Sequence, residues 1–339
     1  MYIKQGYELK DLLLVPKQSS VISRDEVDLS TTIGNLYLKI PFIASPMSGI
    51  VGVELIKELG RLGGIGILHR FYNDQKKRFA DLTCLERSAT NFGVAVGLND
   101  DFYKNAVIGG ASIICIDVAN GYLDSVVEFT SNVAMYIKLL GYNCLVMAGN
   151  VSTYAGAERL YYAGASLIRT GIGSGQLCTT RNNAGIGVPQ ASAIQDCSHK
   201  MINTHITDVC MQQSDEASYW NTVADGGIKN SGDCVKALAC GADFIMLGTL
   251  FSRCFESDHN GKIYGMASKE FQEQFYGEVK KSVEGVTHSA DKNISLENLL
   301  NEFCWNIKSG FTYCNSRNIS EIHKNAEFIK VGSESIVQK

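Results

Sequence analysis

The sequence predicts a (β/α)8 barrel, and three observations carry that prediction: eight short apolar runs, helical stretches between them, and chemically capable residues directly after nearly every run. The strands are expected at Phe42–Ser45, Gly64–Leu68, Phe92–Val96, Ser112–Asp117, Cys144–Ala148, Leu167–Thr170, Thr222–Ala224 and Asp243–Leu247. Each is apolar on both faces, as in a parallel strand covered by helices, rather than alternating. Helices are expected at Val53–Leu62, Asp124–Leu140, Tyr154–Ala163, Ala191–Lys200 and Ser231–Cys240. Gly141, Gly164 and Gly241 follow three of these and suit helix C-termini. A doubly wound sheet would show the same alternation. The strand ends favour the barrel, which gathers all eight on one face. They read Ser45-Pro46-Met47, His69-Arg70, Gly97, Asp117, Asn150, the loop through Cys178, Asp225-Gly226-Gly227 and Gly248-Thr249.

Residues 1–40 precede the first strand and are expected to plug or cap the barrel. Residues 257–315 are long, polar and Tyr-rich, and read as a mobile lid after strand eight. Ala326–Val331 reads as a short extra strand or docking segment. No repeat or linker divides the chain, so residues 1–339 are expected to form a single domain.

Composition narrows the function. Apolar residues make up 45% of the chain and the net charge is −4. This suits a large core and argues against a nucleic-acid coat or a polybasic membrane anchor. No apolar run approaches the roughly 20 residues of a membrane helix, and Met1–Gly6 carries no signal-peptide core, so a cytoplasmic location is expected. The 11 cysteines are odd in number and scattered, which reads as reduced core thiols. Cys178 departs from that pattern because Gly, Ser, Gln and Thr surround it.

Cys178 lies in the run Gly171-Ile172-Gly173-Ser174-Gly175-Gln176-Leu177-Cys178-Thr179-Thr180-Arg181. Its glycines allow close backbone approach to a ligand. Thr180 places a hydroxyl near the thiol, and Arg181 and the loop amides are candidates for lowering the thiol pKa. Carbonyls at Gly173, Gly175 and Cys178 are candidate ligands for a monovalent cation. Zinc is not expected, since no second Cys or His lies at ligand spacing. Gly226, Gly227, Gly248 and Thr249, after strands seven and eight, are candidates for a phosphate site, with tight turns as the alternative. Asp225 would repel a phosphate but suits ribose hydroxyls. Asp117 and Asn150 are candidate ligand residues at the mouth, against an alternative as hydrogen-bonded core. His69 reads as structural, and Glu284 alone would read as an exposed acid.

Taken together, Gly171–Arg181, Asp225–Asn230, Gly241–Gly248, Ala148–Val151 and Tyr264–Ser268 resemble the IMP dehydrogenase/GMP reductase family, and the resemblance runs from Tyr7 to Val331. It implies a purine-nucleotide substrate, NADPH, a K⁺ ion, a homotetramer and a covalent thioimidate on Cys178. The reductase branch is implied by Thr180 and Glu284, by Asp117–Tyr122, and by a lid without arginine from Tyr264 to Ala290. Strand two also runs to strand three without the regulatory insert common in dehydrogenases, although some dehydrogenases lack it too. Other features lean towards the dehydrogenase: Gly63–Arg70 and Gly187–Gln190 look more like that branch, Arg70 and Lys281 stand where reductases carry Lys and Arg, and Ser48 and Gln176 also depart from the usual pattern. By resemblance, Cys178, Thr180 and Glu284 are catalytic. Asp225, Gly226, Gly227, Gly248, Thr249, Met266, Ser268 and Lys281 bind the nucleotide. Arg70, Asp117, Ala119 and Asn150 face the cofactor. Ser23, Arg24, Ser309 and Thr312 reach a neighbouring subunit's cofactor, and Gly173, Gly175, Cys178 and Arg181 hold the cation. The alternatives in view are an IMP dehydrogenase without its regulatory domains, a non-catalytic nucleotide sensor, and a flavin-dependent barrel.

Overall fold

The computed structural model describes residues 3–198, 220–279 and 283–332. Eight parallel strands close into a barrel: β1 (Phe42–Ala44), β2 (Ile65–Leu68), β3 (Phe92–Val96), β4 (Ile113–Asp117), β5 (Leu145–Val151), β6 (Leu167–Thr170), β7 (Asn221–Asp225) and β8 (Phe244–Leu247). Closure comes from β8 pairing back onto β1, with Ile245 opposite Phe42 and Leu247 opposite Ala44. The expected strands are all present. The largest difference is at β5, which runs on to Val151, so Asn150 lies inside the strand rather than after it.

The helices wrapping the barrel are α1 (Val53–Arg61), α2 (Gln75–Glu86), α3 (Phe102–Ile108), α4 (Asp124–Leu139), α5 (Tyr154–Tyr162), α6 (Gln190–Cys197), α7 (Ser231–Ala239) and α8 (Leu296–Tyr313). α6 starts one residue before the expected Ala191, and the expected end at Lys200 lies outside the described residues. Gly141, Gly164 and Gly241 take positive φ (68°, 100° and 108°) just past α4, α5 and α7, where the chain turns into the next strand.

Alternation along each strand sorts side chains between two cores. Outward residues such as Phe42, Ile114 and Ile168 pack against the helices. Inward residues Ile43, Ile65, Ile67, Ile113, Cys115, Met147, Leu167, Val223 and Phe244 fill the barrel. Phe244 is fully buried, and its truncation to alanine would cost ~3–5 kcal/mol. The same register carries Asp117, two residues beyond Cys115, Arg169 beyond Leu167, and Asp225 beyond Val223 into the uppermost inward layer. The barrel interior is therefore apolar below and charged at its mouth.

The expected N-terminal cap is a hairpin, Thr31–Ile33 paired with Leu36–Leu38. Ile33, Leu36 and Leu38 join the inward core, and Asn35 Nδ2 donates to Asn143 Oδ1 (3.1 Å), just before β5. The hairpin thus seals the end opposite the strand C-termini. Residues Phe328–Lys330 pair antiparallel with Leu12–Leu14, in line with the expected extra strand.

The lid is shorter than expected. Leu296–Tyr313 is not lid but α8, because Leu296, Leu299, Leu300, Phe303, Ile307 and Phe311 recur at helical spacing and bury against the barrel. The covering segment comprises a hairpin, Lys262–Tyr264 with Thr287–Ser289, and a helix, Lys269–Tyr276.

Candidate active site

The loop after β6 begins with a turn that only glycine fits. Gly171 has φ 142°, and a Cβ there would lie 2.1 Å from the Asp225 carbonyl oxygen. The loop ends in a short helix, Thr180–Asn183. Between them the half-buried Cys178 thiol donates to Thr180 Oγ1 (3.1 Å), and the Thr180 hydroxyl donates to Glu284 Oε2 (2.7 Å). Thiol, hydroxyl and carboxylate form one directional chain. It can carry a proton from sulfur towards Glu284 and return one to a leaving group.

Glu284 is 104 residues from Thr180 in sequence, and backbone bonds bring it there. Thr179 N donates to Glu284 O (3.0 Å), Glu284 N to Ala267 O (3.0 Å), and Val286 N to Leu177 O (3.1 Å). Gly285 passes between Cys178 and Ser268, forming a bridge with each. The acid is half-buried, not the exposed residue that its local sequence suggests. The lid helix is pinned by aromatic contacts: Phe71 meets Phe271 (4.9 Å) and Phe275 (5.5 Å) edge-on. A cleft of about 110 Å³ opens between these rings, Ser48, Gly49, Asn73 and Tyr264.

A second constellation crosses the mouth. Arg70 Nε donates to Asp117 Oδ2 (3.1 Å). Arg169 Nη1 donates to Asp117 Oδ1 (2.7 Å), and its Nη2 to Asp225 Oδ2 (2.8 Å). Asn150 Nδ2 donates to Asp225 Oδ2 (2.9 Å) and to Gly171 O (2.8 Å). Burial alone would raise the Asp117 pKa, but Arg169 and Arg70 outweigh it and hold the carboxyl below its ordinary range. Burial likewise opposes the charge on Arg169, but Asp225, Cys115 and Asp117 keep it protonated.

The other expected residues fall into distinct places. Gly226, Gly227, Gly248 and Thr249 follow β7 and β8 at the same mouth, where Gly226 packs so closely on Ser174 that a Cβ would lie 2.6 Å from its hydroxyl. Met266 is half-exposed beside the lid turn. Ser268 is fully buried, and its hydroxyl accepts from Phe271 N (3.2 Å) as a helix cap, a bond that does not use its proton. Ala119 is exposed just beyond Asp117. Lys281 lies outside the described residues. Ser23, Arg24, Ser309 and Thr312 are not brought to Cys178: Ser23 caps a short turn, Arg24 stacks 4.9 Å over Trp305 of α8, and Thr312 donates to Ser309 O (2.7 Å) within α8.

Arg181 does not face the thiol: its guanidinium pairs with Glu8 and donates to Val188 O (2.8 Å). Any share it takes in a cation site would therefore come from its backbone. Gly175 O already accepts from Cys178 N (3.0 Å). His69 is structural, as read: it stacks on Tyr72 (4.5 Å), accepts from Phe71 N (3.2 Å), and burial lowers its pKa to about 4. Burial pushes the Cys115, Cys240 and Cys254 thiols up to about 12, which keeps them protonated core residues. Among the described residues no group of three or more His, Cys, Asp or Glu side chains is placed to hold a metal ion, and no helix is long and apolar enough to cross a membrane.

Sequence reading missed Arg169, Gln190 and Glu8. An arginine in the apolar run Leu167–Thr170 was the available signal for the first. Gln190 is fully buried and donates to Thr170 O (3.0 Å) and Asp225 O (3.2 Å), while Glu8 joins Gln190 N (2.9 Å) to Arg181. Nothing local distinguishes these two.

The sequence and the fold are both similar to those of known proteins. The sequence model described as IMP dehydrogenase / GMP reductase domain matches residues 6–339. The chain is 33% identical to GMP reductase of Caenorhabditis elegans, covering 97% of this chain and 92% of the relative. It is 32% identical to GMP reductase 2 of Bos taurus, covering 96% and 94%. A GMP reductase from Trypanosoma brucei, solved with guanosine 5'-monophosphate, superposes with a TM-score of 0.84 at 20% identity, over 98% of this chain and 97% of the other, and so shares the fold.

Proposed function

Because this chain belongs to the IMP dehydrogenase/GMP reductase family, we propose that it is a GMP reductase, converting GMP to IMP and ammonia at the expense of NADPH in purine interconversion. The observation that carries this reading is the hydrogen-bonded chain from Cys178 through Thr180 to Glu284. A sensor has no use for it. Water activation in the dehydrogenase branch uses an arginine in the lid, and no arginine lies between Tyr264 and Ala290.

The thiol proton passes through Thr180 towards Glu284, and the Cys178 thiolate adds to purine C2. Thr180 then delivers a proton to the 2-amino group. The C2–N bond breaks, ammonia leaves, and the C2–S thioimidate remains. Bound NADPH would supply the hydride for C2, after which the C–S bond would break with its electron pair returning to sulfur, leaving IMP. Asp225 accepts hydrogen bonds from the ribose. Gly226, Gly227, Gly248, Thr249 and the Ser268 proton receive the phosphate, the family resemblance adds Lys281 to that set, and Met266 packs on the base.

For the cofactor, the part-open Arg70–Asp117 pair (side chains 27% and 18% exposed) offers both a cation and an acceptor at the mouth, and small Ala119 leaves room beside them. Asn150 completes that edge. In a homotetramer, Ser23, Arg24, Ser309 and Thr312 of a neighbouring subunit would complete the cofactor's far end. A K⁺ ion would take the Gly173, Gly175, Cys178 and Arg181 carbonyls and steady the loop. The proposed setting is cytoplasmic.

The test is turnover. Purified protein given GMP and NADPH should lose reduced-cofactor absorbance and release ammonia in equal amounts. No turnover there, with NADH produced from IMP and NAD⁺ instead, would replace this reading with the dehydrogenase.

A further inference from the structure

Arg169 is buried at 5% exposure in the top inward layer of the barrel, and no step of the proposed reaction uses it. Its two terminal nitrogens are divided between carboxylates on different strands, Asp117 on β4 and Asp225 on β7. Its Nε has no partner, and beside that fork only a contact from Nη1 to Cys115 Sγ (3.6 Å) orients the side chain. A lone buried guanidinium is costly, and here the two carboxylates, with the Cys115 sulfur beside them, offset it. On the Asp225 side, Oδ2 already accepts from both Arg169 and Asn150, which occupies its lone pairs and leaves Oδ1 for the mouth.

We infer that Arg169 is a positioning residue that fixes Asp225 for the sugar hydroxyls, and that selectivity for a ribonucleotide over a 2'-deoxyribonucleotide rests on its two-pronged grip. The inference deepens the reading of Asp225 as ribose acceptor and rests on it. Lysine keeps the charge but presents a point ammonium in place of a planar fork. It reaches one carboxylate or the other, not both in this geometry.

The experiment compares kcat/KM for GMP and for dGMP, with NADPH, in the wild type, Arg169→Lys and Arg169→Gln. The wild type should favour GMP by roughly tenfold or more, as a hydrogen bond to a charged acceptor allows. The ratio should fall severalfold in Arg169→Lys and approach one in Arg169→Gln. Loss of core integrity alone would depress both nucleotides together and leave the ratio intact, so the ratio separates positioning from folding. Should Arg169→Gln fail to fold, Arg169→Lys decides the matter. A folded Arg169→Lys with the wild-type ratio overturns the inference, as does a wild type that uses both nucleotides equally. A wild type that turns over neither nucleotide removes the reductase reading itself and this inference with it.

Discussion

Replacing Glu284 by glutamine isolates the charge at the end of the proton chain. The amide keeps a carbonyl acceptor where Oε2 receives the Thr180 hydroxyl at 2.7 Å. The backbone bonds that hold the segment, Thr179 N to Glu284 O and Glu284 N to Ala267 O (both 3.0 Å), do not involve the side chain. Geometry should therefore survive while the proton acceptor is lost. Exchanging a hydrogen bond to a charged acceptor for a neutral one costs about 1–1.5 kcal/mol, and losing general acid–base assistance costs a further 10²–10⁴ in rate, roughly. Deamination should fall by about 10²–10⁴ in kcat, with the KM for GMP within about threefold. Ammonia release from GMP and NADPH measures the first step, and isotope exchange between labelled cofactor and IMP measures the hydride step separately. Exchange should persist, since it involves no departing amine. Deamination within about threefold of wild type, or equal loss of both steps, would refute the proton chain.

Three more outcomes are expected. Reaction with 6-chloro-IMP, in which chloride leaves as the C–S bond forms, should add the mass of the nucleotide less HCl to the wild type and nothing to Cys178→Ala; an adduct on Cys178→Ala would displace the nucleophile. In Gly285→Ala the new Cβ would meet Ser268 N at 3.0 Å and Gly265 Cα at 3.2 Å, backbone on both sides, so kcat should drop by more than about tenfold with little change in melting temperature; wild-type kcat would show that the lid seats without this contact. Burial lowers the His69 pKa from 6.5 to about 4, so the unfolded chain takes the proton first on acidification. Its contribution is complete above about pH 6.5 and is lost towards pH 4, amounting to roughly 3 kcal/mol. Urea unfolding across that range should show a shallower pH slope in His69→Asn.

Continuous apolar strands such as Phe92–Val96 were legible to the residue, because a strand buried on both faces leaves no polar ambiguity. The boundary between lid and α8 was not. Residues 257–315 are polar overall, and the apolar stripe from Leu296 to Phe311 appears only at helical period. The Cys178–Thr180 pair could be read from spacing, because both sit on one loop. Glu284 could be assigned only through family resemblance, since no local signal ties it to a threonine 104 residues away. Arg169 was hidden for the opposite reason. A single charge in an apolar strand reads as an interruption until its partners on β4 and β7 are seen beside it.

The hairpin that plugs the barrel bears on kinetics as well as on folding. With Ile33, Leu36 and Leu38 filling one end, the barrel formed by the described residues opens at the other, and the lid that delivers Glu284 stands across it. In the proposed reaction, nucleotide, dinucleotide and ammonia would share that passage. A departing product would then compete with each arriving reactant for the same opening, and the pace of turnover would be tied to how often the door swings as well as to the chemistry behind it.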